Sequence, residues 1–212
     1  MQKTDRLLQI LTGQAVIPVV AVDSIQEGVG LARALAKGGL KAIEVTLRTP
    51  AALEAIEAIV VDVPEAICGA GTILKPDDYT NAVKAGAKFI VSPGATVELL
   101  DTAKKSAIPF LPGSATPSEL LAMLQEGYEV LKFFPAEQSG GLSYLRSLAP
   151  VFQGVKFCPT GGVSPDNARD YLALPNVVCV GGSWVAPKAL IKDGAWDEIT
   201  KLAAEAAGLS AD

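Results

Sequence analysis

Eight short apolar, β-branched runs recur along the chain, each followed by a stretch of helical period, and this alternation restricts the fold more than any other feature. The runs fall at 15–22, 42–47, 66–72, 89–93, 109–113, 130–136, 156–161 and 177–183. Helical spacing of apolar residues is expected over 24–37, 50–61, 76–85, 96–106, 117–126, 141–149, 165–173 and 187–207, with a further short helix at 3–11. Such alternation implies parallel strands joined by helical crossovers that cover the sheet. Boundary residues agree. Thr116-Pro117-Ser118-Glu119 offers a cap, a proline in the first helical position and a glutamate in the third. Lys75-Pro76 and Ser164-Pro165 open further helices by the same proline logic, and Gly38-Gly39, Gly86 and Gly127 stand where helices should stop. The last stretch places Trp196, Ile199, Leu202, Ala203 and Ala206 on one face. No linker or low-complexity segment interrupts the 212 residues, so 1–212 is expected to form a single domain.

Eight parallel strands can close into a barrel or spread into a doubly wound open sheet. Polar residues and glycines gather at the C-terminal ends of several runs: Glu44-Val45-Thr46-Leu47-Arg48-Thr49, Gly69-Ala70-Gly71-Thr72, Ser92-Pro93-Gly94 and Pro159-Thr160-Gly161-Gly162. Barrel enzymes build their sites from many strand ends around one face. An open sheet concentrates such residues near one switch point. The expected fold is therefore α/β, a (β/α)8 TIM barrel with a short extra N-terminal helix.

Composition excludes several functions. The formal net charge is -5, which argues against a nucleic-acid partner, since that needs a basic face. No stretch approaches the roughly 20 apolar residues of a membrane span. The first residues lack the apolar core and cleavage site of a signal peptide, so a cytoplasmic location is expected. A small phosphorylated metabolite remains an allowed ligand, because backbone amides hold one phosphate whatever the net charge. There is no histidine. That removes the commonest general acid/base and metal ligand. Neither cysteines nor carboxylates show zinc-type spacing, so no metal and no cofactor is expected. Cys68, Cys158 and Cys179 lie in strand-like runs without a Cys-x-x-Cys pair and read as buried, reduced thiols.

Lys132 is the sharpest chemical signal. It sits in a strand between Val130-Leu131 and Phe133-Phe134, whereas lysine is almost never fully buried without a partner. Desolvation favours the neutral amine, which is a nucleophile. The alternative is a lysine on the outer strand face that snorkels or pairs with a helix carboxylate. Glu44 and Arg48 share a face of their strand. Arginine suits a substrate carboxylate because its planar fork donates two bonds; the alternative is a structural ion pair between the two, or with neighbours. Glu44 follows Gly39 by five residues, as Lys132 follows Gly127. Their strands are second and sixth, and strands of one parity share an interior layer. Glu44 and Lys132 are therefore expected to face each other across the barrel at similar height. Alternation alone does not fix which parity points inward.

Gly161-Gly162 and Gly181-Gly182-Ser183 follow the last two strands, a frequent phosphate site in barrels. Glycine lets backbone amides approach an anion closely, although tight turns need glycine too. Thr72 and Thr160 offer hydroxyls at strand ends, either for substrate or for local capping and turn bonds.

These blocks, with Lys132-Phe133-Phe134-Pro135-Ala136-Glu137, Cys158-Pro159-Thr160-Gly161-Gly162 and Gly181-Gly182-Ser183-Trp184, resemble the 2-keto-3-deoxy-6-phosphogluconate (KDPG) and 4-hydroxy-2-oxoglutarate (KHG) aldolase family, in order and over nearly the whole chain. The resemblance implies a homotrimeric class I aldolase of the Entner–Doudoroff pathway. It would make pyruvate and glyceraldehyde 3-phosphate from a phosphorylated 2-keto acid, and many members also cleave 4-hydroxy-2-oxoglutarate. It implies Lys132 as Schiff-base residue and Glu44 as proton carrier, with Arg48 and Thr72 on the pyruvate carboxylate. Thr160 bears on stereochemical choice, Pro93 and Phe134 contact substrate, and Gly161, Gly162, Gly182 and Ser183 form the phosphate cradle. One departure stands after the fifth strand, where Leu111-Pro112-Gly113-Ser114-Ala115-Thr116 differs slightly from the family's small-residue pattern. Two other readings fit the residues alone. One is a phosphate-binding isomerase or epimerase, with Glu44 as enolising base and Lys132 as a clamp. The other is a barrel that binds a phosphorylated keto acid without turning it over.

Overall fold

The computed structural model describes residues 3–209. Its elements are α1 (Lys3–Leu11), β1 (Val16–Val20), α2 (Ile25–Lys37), β2 (Ala42–Thr46), α3 (Ala52–Asp62), β3 (Ile67–Gly71), α4 (Pro76–Lys84), β4 (Ile90–Val91), α5 (Val97–Lys105), β5 (Phe110–Leu111), β6 (Gly113–Ser114), α6 (Pro117–Gln125), β7 (Val130–Phe133), α7 (Gly141–Leu148), β8 (Lys156–Pro159), α8 (Ala168–Leu172), β9 (Val180–Gly182), α9 (Lys188–Lys192) and α10 (Trp196–Ala207). The fold is mixed α/β. A curled six-stranded sheet runs β5-β4-β3-β2-β1-β9, and a three-stranded sheet runs β6-β7-β8. Every pairing is parallel. Two isolated parallel bridges, Phe157 with Val177 and Thr160 with Gly181, join β8 to the segment around β9. No helix among the described residues is long and apolar enough to cross a membrane.

Local chemistry explains the boundaries. Ser24 caps α2 by accepting from the Glu27 N–H. Thr116 and Glu119 close the expected capping box on α6, satisfying amide donors that the helix leaves free. Gly39, Gly86 and Gly127 take positive φ just after α2, α4 and α6, as helix-stop glycines do.

Three expectations need correction. The fifth run is not one strand: Pro112 separates β5 from β6, because proline offers no N–H to a ladder. The strand of Lys132, sixth among the runs, is therefore β7. The stretch 187–207 is two helices, parted at Gly194 with φ +65°. Ser164-Pro165 begins a turn rather than a helix. There the Asn167 side chain accepts from the Ser164 N–H at 2.8 Å, and α8 starts only at Ala168, a local side-chain bond of the kind that competes with helix.

Alternate residues of each strand sort into two apolar clusters. Val16, Val20, Ile43, Val45, Ala70, Ile90, Phe110, Leu131, Phe133, Phe157 and Val180 pack against the helices. Ile17, Ala42, Val91, Leu111, Val130, Cys158 and Cys179 form an inner cluster with Phe89 and with Leu7, Ile10 and Leu11 of α1. This is the period-2 alternation of strands covered on both faces. Each such Leu, Ile, Val or Phe, fully buried, contributes about 1.5–3 kcal/mol. The inner cluster matters for the site. Ala42 and Val130 belong to it, and two residues further along their strands stand Glu44 and Lys132. The α1 helix and its neighbours thus make an apolar floor beneath those two charges.

Candidate active site

Lys132 points inward. It is 4% exposed and Glu44 is 3% exposed, and Lys132 Nζ donates to Glu44 Oε1 at 3.1 Å and Oε2 at 3.4 Å. The outward-facing, snorkelling alternative is thereby removed. Residues 88 apart in sequence meet as the matched offsets from Gly39 and Gly127 led one to expect. Taking both ions from water costs several kcal/mol each, which mutual attraction repays only with good geometry. Glycine makes that geometry possible. A Cβ on Gly71 would stand 2.1 Å from Glu44 Oε1, so the strand next to Glu44 must lack a side chain there. Ring density completes the pocket: Lys132 Nζ lies 5.4 Å from the Phe134 ring centroid, within cation–π range.

Glu44 does not pair with Arg48; its ion-pair partner is Lys132, so of the ion-pair alternative only the pairing between Glu44 and Arg48 falls. Arg48 is exposed past the end of β2, and its Nε donates to Thr72 Oγ1 at 2.9 Å. Thr72 has φ +59°, a rare conformation for a β-branched residue. Strain of this sort persists where surrounding structure holds it, commonly at ligand sites. Nor does Thr72 cap α4, whose N-cap is Lys75. The Arg48–Thr72 bond uses Nε rather than a terminal nitrogen of the guanidinium.

The remaining residues surround this centre. Gly113 is the register partner of Lys132, and a Cβ on it would lie 2.1 Å from the Pro93 carbonyl oxygen, so Pro93 abuts the strand beside Lys132. Cys158 is the other register partner of Lys132, and Thr160, 7% exposed, stands two residues above it. A Cβ on Gly161 would touch the Phe134 ring at 3.4 Å, so this glycine lies beside the ring that Lys132 approaches. Gly161 and Gly162 have φ +100° and +79°, which only glycine adopts freely. The Thr160–Gly181 bridge brings the loop after β8 beside β9. Gly182 lies under the Trp184 ring. Ser183 lines a cavity of about 300 Å³ with Thr46, Arg48 and Lys188. Sequence reasoning missed the bare inner faces of Gly71, Gly113 and Gly181, although the Gly69-Ala70-Gly71 alternation signals one of them.

The cysteines offer no competing nucleophile. All three are buried and free. Burial pushes the Cys68 thiol up to about 12. A hydrogen bond with Cys158, and then burial, hold Cys179 above the ordinary thiol range.

A sequence model described as "KDPG and KHG aldolase" matches residues 7–202. The KHG/KDPG aldolase of Escherichia coli K12 is 50% identical over 197 residues, covering 93% of this chain and 92% of that protein. The KDPG aldolase of Legionella pneumophila, solved with pyruvate captured as a covalent carbinolamine, superposes with a TM-score of 0.93 at 43% identity over 98% of each chain. The 2-keto-3-deoxy-6-phosphogluconate aldolase of Zymomonas mobilis ZM4, solved with 3-phosphoglycerate, gives 0.91 at 42% identity, over 99% of this chain and 98% of that one.

Proposed function

This chain belongs to the KDPG and KHG aldolase family, and we propose from its site a class I aldolase that reversibly cleaves 2-keto-3-deoxy-6-phosphogluconate to pyruvate and glyceraldehyde 3-phosphate, the aldol step of the Entner–Doudoroff pathway. It cleaves 4-hydroxy-2-oxoglutarate to pyruvate and glyoxylate by the same route. The observation that carries this reading is the buried Lys132–Glu44 contact.

The chemistry runs as follows. Glu44, 3.1 Å from Lys132 Nζ, takes the ammonium proton. The free amine attacks the C2 ketone, and Glu44 returns the proton to the departing hydroxyl, giving an imine and water. The protonated imine is an electron sink, so the C3–C4 electron pair flows into it as an enamine. Glu44, through a water, accepts the C4 hydroxyl proton as the aldehyde leaves. The proton then goes back to C3, and water hydrolyses the imine to pyruvate. Arg48 and Thr72 hold the carboxylate, Pro93 and Phe134 wall the keto acid, and Thr160 faces the aldol centre. The cradle of Gly161, Gly162, Gly182 and Ser183 takes the phosphate. No step calls on histidine or a metal.

The proposed architecture is a closed (β/α)8 barrel formed by residues 1–212 as one domain. Its support is that β5 and β6 flank one proline, β5 pairing β4 and β6 pairing β7, while the isolated bridges tie β8 to β9. The homotrimer stays part of this reading on the resemblance, and the cytoplasmic location stays part of it as the expectation drawn from the sequence.

Borohydride tests the covalent step. With pyruvate present, reduction is expected to add a three-carbon unit to Lys132, read by peptide mass spectrometry. An unmodified Lys132 in a fully active enzyme would defeat the aldolase mechanism in favour of an isomerase. The cradle has its own test. Ser183→Asp puts a carboxylate where the phosphate would lie. KM for the phosphorylated substrate should rise roughly tenfold or more, since like charges repel at close range, with pyruvate trapping retained. An equal loss for both would place the phosphate elsewhere.

A further inference from the structure

Gly162 has neighbours that the chemistry above does not use. The Glu137 side chain crosses it: a Cβ on Gly162 would stand 2.5 Å from Glu137 Cγ and 2.7 Å from its Cβ. The Glu137 carboxylate then accepts a hydrogen bond from the Tyr171 hydroxyl, and Tyr171 is wholly buried. Gly141 leaves room for that contact, since a Cβ there would lie 3.2 Å from Glu137 Oε1 and 3.3 Å from the Tyr171 hydroxyl. Both carbonyls of the glycine pair are also tied down. The Glu137 N–H donates to Gly161 O at 3.1 Å, and Asn167 Nδ2 donates to Gly162 O at 3.2 Å.

We propose that the Tyr171–Glu137 pair is a positioning element for the Gly161-Gly162 loop and sets affinity for the phosphorylated end of the substrate. This rests on the reading that the loop cradles the phosphate. Glu137 is an exposed residue, and an exposed glutamate normally samples several rotamers. One bond to a buried hydroxyl selects a single rotamer. The side-chain stem then lies against Gly162 and restricts the very residue that glycine leaves free to move. The bond also holds the carboxylate back from the anion it would otherwise repel. Burial first, and then Glu137, keep the Tyr171 hydroxyl above the ordinary phenol range, so it remains a donor under assay conditions. Positioning of this kind acts on binding rather than on bond cleavage.

The test compares Tyr171→Phe, Glu137→Ala and Glu137→Gln on 2-keto-3-deoxy-6-phosphogluconate and on 4-hydroxy-2-oxoglutarate, which has no phosphate. Tyr171→Phe should raise KM for the phosphorylated substrate about five- to tenfold, the effect of roughly one ordinary hydrogen bond. Its kcat should stay within about twofold, and KM for 4-hydroxy-2-oxoglutarate should not move. Glu137→Ala, at an exposed position that folding tolerates, should give the same split. Glu137→Gln keeps an acceptor oxygen for Tyr171 and should restore KM toward the parent value. Equal changes on both substrates, or no change in KM, would overturn the positioning role. Ser183→Asp separates the two readings. If it discriminates between the substrates while Tyr171→Phe does not, only the positioning role falls. If Ser183→Asp does not discriminate either, the phosphate cradle falls and takes this proposal with it.

Discussion

Lys132→Ala should lower kcat for aldol cleavage by at least ~10^4-fold, because it removes the only step that turns C2 into an electron sink. Borohydride should then trap no pyruvate. Substantial residual turnover would instead favour the isomerase reading, in which Lys132 only polarises the substrate. The same substitution should also cost stability. It leaves Glu44, 3% exposed, without its counter-ion above an apolar floor, a loss of about 3–5 kcal/mol. For a chain of this length each kcal/mol moves Tm by roughly 2–4 °C, so thermal unfolding should fall by ~6–20 °C. Replacing both partners separates chemistry from folding. Lys132→Met with Glu44→Leu should restore Tm to the parent value or above, since well-packed apolar residues often replace a buried ion pair at no cost. That double variant should remain inactive. A double variant as unstable as Lys132→Ala would mean that the ion pair itself holds the inner face together.

The pair could be read in the sequence because its two halves carry the same local frame. Gly39 and Gly127 each follow a helix and stand five residues before the charge, and both strands begin two residues before it, at Ala42 and Val130. What alternation could not supply was direction. That is set by which face the helices cover, a property of the assembled sheets. The break at Pro112 was hidden because β4, β5 and β6 have two residues each, too few for a period to register, and their neighbours are equally apolar. The break at Gly194 was hidden because Ile191, Ala195, Ile199 and Ala203 keep a spacing of four through it. Thr72 was ambiguous for another reason. A threonine before a helix is a cap by default, and only its positive φ and its distance from Pro76 turn the hydroxyl toward Arg48. The Glu137–Tyr171 contact spans 34 residues and joins two elements with no common pattern. Neither residue has an unusual local sequence, so nothing short of the fold brings them together.

Glu44→Gln should divide the reaction where Lys132→Ala stops it altogether. The amide has the size of the carboxylate and fits over Gly71 in the same space, so folding and the shape of the pocket should survive. What it loses is the ability to carry a proton. Such transfers contribute typically 10²- to 10⁴-fold, and kcat for cleavage should fall by about that much. Imine formation should become slower but still reach completion, so borohydride with pyruvate should label Lys132 fully after long incubation. The clearest readout is exchange of the pyruvate methyl protons with deuterated water. Exchange requires the imine, which Lys132 supplies, and then removal of a proton from C3, which the mechanism assigns to Glu44. The variant should therefore form the adduct and yet exchange at no more than about a hundredth of the parent rate. Full exchange in Glu44→Gln would move the base to another group and reduce Glu44 to a counter-ion. Loss of both adduct and exchange would mean that no water or other group can take the Lys132 proton in place of Glu44. The 3.1 Å contact with Nζ would then be indispensable to imine formation rather than an accelerator of it.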